Sequence, residues 1–249
     1  MTAAYDGASG GMLGIIFAME IEASSVLGSP SWRKMQSRFG QYALTSTLAP
    51  DVVVGVSGIG KVAAASLAST MILTHEVGAV VVLGLSGALH PEVDFAERVV
   101  VSGAIQHDVD LRPIAERRGI GDRGGEPIYP ADATLVVVLE GILGARTWTG
   151  ASQRLHRGTI VSGDQIISST TSKHEIAGYF PESLCVDMET AAIAQVCAWA
   201  RVPWAALRVV SDHANESVTT KAILDFCTAH ASPYFGVVVD ELGEYWSKR

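Results

Sequence analysis

Short apolar runs rich in β-branched residues recur along the chain, separated by stretches of helical composition. Leu13 to Ala18 reads LGIIFA, Val52 to Val56 VVVGV, Ala79 to Leu83 AVVVL and Arg98 to Ile105 RVVVSGAI. Thr159 to Val161, Leu184 to Val186 and Trp204 to Val210 are three more. Runs without polar alternation belong to strands buried on both faces, the habit of sheets covered by helices. Between them Gly60 to Glu76, Asp132 to Leu143, Thr171 to Tyr179, Met188 to Ala200 and part of Thr219 to Trp246 read as helices. Strands alternating with helices predict an α/β domain with a mostly parallel sheet. No repeat or low-complexity linker divides the sequence, so one domain is expected over residues 13–249. Residues 1–12 read as a flexible leader. They lack the basic and apolar regions of a signal peptide.

Composition removes several classes of function. The 249 residues are 48% hydrophobic and 18% charged, enough for one sizeable core and unlike a disordered chain. Lys and Arg number 18 against 26 Asp and Glu, a net charge of −8, which disfavours a general nucleic-acid partner. Three scattered cysteines, Cys185, Cys197 and Cys227, make neither a disulfide framework nor a zinc site. A reducing, cytoplasmic setting is expected. No apolar run approaches the roughly 18 residues of a membrane helix, so no membrane partner is expected. The stretch from Arg112 to Pro130 is polar, rich in Gly and Arg, and long for a plain connection; such loops are usually functional or mobile.

In open α/β sheets, ligands bind beyond the carboxyl ends of the strands. The first run leads into Met19-Glu20-Ile21-Glu22, and the third into Gly84-Leu85-Ser86-Gly87-Ala88. Later runs lead into Ser162-Gly163-Asp164, Asp187-Met188-Glu189 and Ser211-Asp212-His213. Carboxylates stand at four of these five ends. Each also has a plain structural role open to it. Glu20 and Glu22 can open a helix, where acids suit the macrodipole. Asp187 can cap the next helix, Glu189 can sit in its first turn, and Asp212 can form a turn.

Three other motifs are weaker. His107-Asp108-Val109-Asp110 resembles a metal-ligand set, but one histidine with two nearby aspartates more often serves a loop or packing. Gly58-Ile59-Gly60-Lys61 lacks the full spacing of a phosphate-binding P-loop. Ser86 does not sit in a G-x-S-x-G elbow, so a serine hydrolase is not expected.

Six ordered segments carry a resemblance: GIIFAMEIE (Gly14 to Glu22), SGIGKVAA (Ser57 to Ala64), QHDVDL (Gln106 to Leu111), VSGDQ (Val161 to Gln165), VDMETAAIA (Val186 to Ala194) and RVVSDHA (Arg208 to Ala214). Together, from about Leu13 to Phe226, they resemble the nucleoside phosphorylase and nucleosidase superfamily. Within it they are most similar to the 5′-methylthioadenosine/S-adenosylhomocysteine nucleosidases. The resemblance implies a three-layer α/β/α sandwich around a mixed, barrel-like sheet, usually in a homodimer. It implies hydrolysis of the N-glycosidic bond of a 5′-substituted adenosine, a step of methionine salvage, with no metal or organic cofactor. By motif position, Glu22 matches the water-activating glutamate and Asp212 the proton donor to the purine. Glu189 matches the glutamate that holds the ribose hydroxyls, and Met188 packs on the ribose. Gly87, Ile166, Ile167, Asp187 and Ser211 fall at substrate-contacting positions. Leu111 and Ile114 fall where a partner subunit closes over the 5′ substituent.

Elementary chemistry fits these residue types. Breaking the C1′–N9 bond leaves positive charge on the sugar and negative charge on the base. An acid can protonate the base, a carboxylate on the other face can activate water, and a third carboxylate can accept two vicinal hydroxyls. The sequence departs from the family pattern at Leu85, usually a small hydroxyl residue, at Asp187, more often glutamate, and at Ile166, often an aromatic that stacks on the base. Those changes bear on substrate preference and leave another purine nucleoside, such as a futalosine-type compound, open. A phosphorylase on the same fold is the nearest alternative, but Val82 and Leu85 stand where phosphorylases tend to place arginine and serine. A nucleoside-binding sensor without turnover would not require all three carboxylates.

Overall fold

The computed structural model describes residues 11–36, 41–120, 127–145, 148, 152–217 and 219–249. Of the leader expected over residues 1–12, only Gly11 and Met12 are described, and Met12 opens the first strand. In chain order the elements are β1 (Met12–Phe17), α1 (Ser24–Leu27), β2 (Trp32–Gln36), β3 (Tyr42–Ser46), β4 (Val52–Val56), α2 (Lys61–Thr74), β5 (Val77–Ala88) and β6 (Arg98–Gln106). Then follow β7 (Ile128–Pro130), α3 (Ala133–Gly144), β8 (Leu155–Ser162), α4 (Thr170–Tyr179), β9 (Ser183–Asp187), α5 (Thr190–Ala200) and β10 (Trp204–Asp212). The chain ends in α6 (Thr220–Phe226) and α7 (Ser232–Ser247), joined through a π-helical turn at Cys227–Ala231.

The strands form one sheet that closes on itself. The order runs β10-β6-β8-β9-β5-β1-β4-β3-β2, and β10 also pairs with β5. Thus β5, β9, β8, β6 and β10 make a closed five-stranded barrel, and β1, β4, β3 and β2 extend from it as a wing. The sheet is mixed and barrel-like, as the resemblance implies, rather than mostly parallel as the apolar runs alone suggest. β1–β4, β1–β5, β5–β10, β6–β8 and β8–β9 are parallel. β2–β3, β3–β4, β5–β9, β6–β7 and β6–β10 are antiparallel. Closing a short barrel with a hairpin-built edge forces this mixture.

Strand alternation divides the core into two layers. Leu13, Ile15 and Phe17 of β1 face one way, with Leu135 and Leu139 of α3 and Val238 and Leu242 of α7. Ile16 faces the other way, with Leu67 and Met71 of α2 and Ile193 and Cys197 of α5. Helices therefore cover both faces, as the continuous apolar runs demand.

The structure revises three further expectations. The third run does not stop at Leu83: β5 continues to Ala88, because β10 and β9 pair with its small residues. The loop from Arg112 to Pro130 contains β7, which pairs with β6; residues 121–126 lie outside the described residues. The helical stretch Thr220–Ser247 is, by length and apolarity, able to span a membrane, contrary to the sequence reading. Its apolar side chains Phe235, Val238, Val239 and Leu242 are instead buried in the core, which is why the stretch is so apolar.

Candidate active site

A cavity of about 220 Å³ opens where β5, β9 and β10 end. On its wall stand Gly87, Ile166, Ile167, Asp187, Met188, Glu189, Ser211 and Asp212, all expected from the sequence. Sequence reasoning missed Ile59, Ser86 and Gln165, and Ile223 and Leu224 of α6, which also line it. None of the described residues on this wall is Lys, Arg or His.

Asp212 sits at a bulge in the β5–β10 register, opposite Gly87. A side chain at position 87 would begin 2.8 Å from Asp212 Oδ1, so glycine is what lets this carboxyl occupy the wall. Ser211 Oγ donates to Asp212 Oδ2 at 2.7 Å, and the Ala214 amide donates to Oδ1 at 2.8 Å. The turn-forming role therefore coexists with an outlook onto the cavity.

Glu22 lies in the turn after β1, not in a helix, and is 2% exposed. Its Oε2 accepts from the amides of Ala18 (3.1 Å) and Met19 (2.9 Å), and its Oε1 from Leu85 (2.8 Å). All three donors stand on the cavity wall, and the glutamate is set just behind them. Burial pushes its carboxyl above the ordinary range, against the pull of Arg208 and the three amides.

Arg208 is the residue the sequence reading passed over. It lies within β10, 1% exposed, and its guanidinium pairs with Asp187 at 2.5 Å. It donates from Nε (3.1 Å) and one terminal nitrogen (2.6 Å) to Thr190 Oγ1. A Cβ at position 84 would fall 2.0 Å from the guanidinium and 2.9 Å from Glu22 Oε1, so Gly84 opens the space in which the two meet. The signal was a lone cation inside AALRVV, since a buried charge must find a partner. Burial disfavours its charge, but Asp187, Glu189 and Glu22 outweigh that and keep it protonated.

Asp187 spends its oxygens inward. Besides Arg208 it accepts from Ser162 Oγ, from Thr190 Oγ1 and from the Thr190 amide (3.1 Å), which begins α5. Its helix-starting role is thus met. Glu189 stands at the N-cap of α5 rather than inside its first turn, with no side-chain cap to that helix. Its Oε1 reaches across to accept from the Gly60 amide at 2.8 Å. Burial and the charge of Asp187 push its carboxyl up to about 8.

Leu111 and Ile114 are not brought to this cavity. They lie in the segment after β6, where Ile114 is 91% exposed. His107 is buried with its ring against Gly163, a packing role. Among the described residues no three His, Cys, Asp or Glu side chains are arranged to hold a metal ion.

Comparison with known proteins places this geometry. The Phosphorylase superfamily profile matches residues 13–242. The chain is 30% identical over 223 residues to the 5′-methylthioadenosine/S-adenosylhomocysteine nucleosidase of Hydrogenovibrio crunogenus, covering 88% of this chain and 93% of that one. It is similar to the crystal structure of the nucleosidase of that name from Neisseria meningitidis in complex with methylthio-immucillin-A, with a TM-score of 0.83 and 28% identity over 94% of this chain and 99% of that one. The fold is also that of the futalosine hydrolase of Helicobacter pylori, at a TM-score of 0.82 and 24% identity over 94% and 98% of the two chains. The chain belongs to the phosphorylase superfamily and, within it, to the family of the 5′-methylthioadenosine/S-adenosylhomocysteine nucleosidases.

Proposed function

We propose that the protein hydrolyses the N-glycosidic bond of a 5′-substituted adenosine, such as methylthioadenosine or S-adenosylhomocysteine, to adenine and the corresponding ribose. The observation that carries this reading is the cavity wall, which presents Asp187, Glu189 and Asp212 and no cationic side chain among its described residues. Water enters such a site without electrostatic penalty. Phosphate does not, because its desolvation would go uncompensated. The buried cation beside these acids, Arg208, is already committed to Asp187 and Thr190.

In this mechanism Asp212 gives a proton to a ring nitrogen of the purine as the C1′–N9 bond breaks, making adenine a neutral leaving group. Water attacks C1′ and passes a proton to Glu22. An ionised carboxylate has about four acceptor sites, and three amides occupy Glu22, leaving room for that water. A base with a raised pKa is matched to work near neutrality. Glu189 accepts hydrogen bonds from the ribose hydroxyls, and Met188 packs on the sugar. The apolar side chains of Ile166, Ile167, Ile223 and Leu224 meet the base and the mouth. A homodimer, in which Leu111 and Ile114 of each chain reach the other's cavity, and a cytoplasmic place in methionine salvage complete the reading.

The test is adenine release from 5′-methylthioadenosine in phosphate-free buffer. The expected result is turnover that added phosphate leaves unchanged, with the free reducing sugar as product. Strong stimulation by phosphate with appearance of the sugar 1-phosphate overturns hydrolysis in favour of phosphorolysis. Preference for a futalosine-type nucleoside over methylthioadenosine would keep the chemistry and change the substrate.

A further inference from the structure

Two motifs that the reaction does not use, Gly58-Ile59-Gly60-Lys61 and His107-Asp108, meet at the N-terminus of α2. Gly60 has φ +99°, a conformation natural to glycine, and α2 receives no cap from its own N-cap side chain. Its first amides are taken by carboxylates from two other loops. Gly60 N donates to Glu189 Oε1 at 2.8 Å, and Lys61 N donates to Asp164 Oδ1 at 2.8 Å. The Lys61 ammonium pairs with Asp108 Oδ1 at 2.6 Å, and Asp108 Oδ2 accepts from the Asp164 amide at 3.0 Å. The loops after β4, β6 and β8 are thereby closed into a ring. The Lys61 and Asp108 side chains are only 17% and 22% exposed, so the pair is partly shielded from water.

We propose that Lys61, Asp108 and Asp164 are positioning residues that hold the Gly60 amide on Glu189 and so fix the acceptor of the ribose hydroxyls. The proposal rests on the nucleosidase reading above. Among the described residues Gly60 N–H is the one hydrogen-bond donor to the Glu189 carboxylate, and it orients Oε1 while leaving Oε2 for the sugar. The amide stays on Oε1 only while the turn at 58–61 stays down. What holds that turn is the Asp164 contact to the next amide and the ion pair to Asp108, one residue beyond the packed His107. Neither Lys61 nor Asp108 is on the cavity wall, so neither acts on substrate directly.

The experiment compares kcat/KM on 5′-methylthioadenosine and on its 2′,3′-dideoxy analogue, which offers Glu189 nothing to hold. Asp108→Asn and Lys61→Gln are expected to lose up to about tenfold on the first substrate, the scale of one hydrogen bond, and less than about twofold on the second. Lys61→Arg, which keeps the ion pair, is expected to retain wild-type discrimination. In a Glu189→Gln background, Asp108→Asn should add less than about twofold. Equal losses on the two substrates, or full additivity with Glu189→Gln, overturn the proposal. If Asp108→Asn does not fold, as judged by its circular dichroism, Lys61→Gln at the helix start carries the same comparison. A wild-type chain that releases no adenine from methylthioadenosine overturns the nucleosidase reading instead.

Discussion

Glu189, Asp187 and Glu22 share one buried cation, Arg208, so three acids face a single compensating charge. Burial, and then the imbalance, push the Glu189 carboxyl up to about 8 from an ordinary 4.5. A carboxyl with a raised folded pKa is most favourable to the fold while protonated. Its contribution is fully present below the unfolded value of 4.5 and is lost as pH rises through about 8. Glu189→Gln keeps an oxygen for Gly60 and removes the titration. The variant should therefore melt near the wild type at pH 5 and above it at pH 9, by on the order of 10 °C, measured by calorimetry across that range. Above about pH 8, where the wild-type carboxyl is ionised, the same change should lower kcat/KM by roughly 10- to 100-fold, because a neutral amide is a weaker acceptor for two hydroxyls than a carboxylate. Residues of this kind were legible in the sequence, since a carboxylate at the end of an apolar strand is out of place unless chemistry or a turn needs it. Arg208 was not, because its partners come from three distant segments and only the folded chain joins them.

The elements show the same division between local signal and distant cause. β1, β4, β6, β8, β9 and β10 announce themselves as apolar runs. β5 reads as ending at Leu83 because Gly84, Ser86 and Gly87 suggest a turn, whereas the structure uses the smallness of Gly84 and Gly87 to admit Arg208 and Asp212 beside an unbroken strand. β2 reads WRKMQ, with Arg33 and Lys34 exposed, the charged pattern of a strand at the sheet edge rather than of a buried one. β7 is three residues long and pairs with β6, too short for any periodicity. The end of α5 offers a direct test of local reasoning. Arg201 follows it with φ 57°, its amide bonds Ala198 O at 3.3 Å, and the Val202 amide bonds Cys197 O at 2.9 Å. That is a Schellman closure, whose left-handed residue is usually glycine. The Arg201 side chain is exposed. Arg201→Gly should relieve the left-handed strain and stabilise the fold by about 0.5–1 kcal/mol, against a smaller gain of chain entropy in the unfolded state. A rise of roughly 1–4 °C in Tm with unchanged kcat is the expected result, and a fall in Tm would show that the arginine side chain contributes more than its backbone costs.

At the scale of the whole molecule, apolar surface collects around the cavity mouth and on the segment expected to cover it. Ile59 and Ile166 on the wall are 56% and 67% exposed, and Ile114 is 91% exposed. Each is a large aliphatic side chain left in water by a single chain, and together they suit a surface that another protein covers. A two-fold dimer would meet this demand economically, because one isologous contact places the 111–114 segment of each chain over the mouth of the other. It would also complete a site whose own chain supplies no wall at the 5′ end from Leu111 or Ile114. Sedimentation equilibrium should therefore find a dimer at micromolar concentration. Ile114→Asp should weaken it by placing a charge in an apolar contact. The kinetic consequence is specific: KM for 5′-methylthioadenosine should rise more than KM for adenosine, since in such a dimer only the methylthio group would extend to the partner's segment. Glu22, Glu189 and Asp212 all come from one chain, so kcat at saturation should change by less than the KM for methylthioadenosine. A wild-type monomer with full activity, or a variant that loses both substrates equally, would place the closing surface elsewhere on the chain.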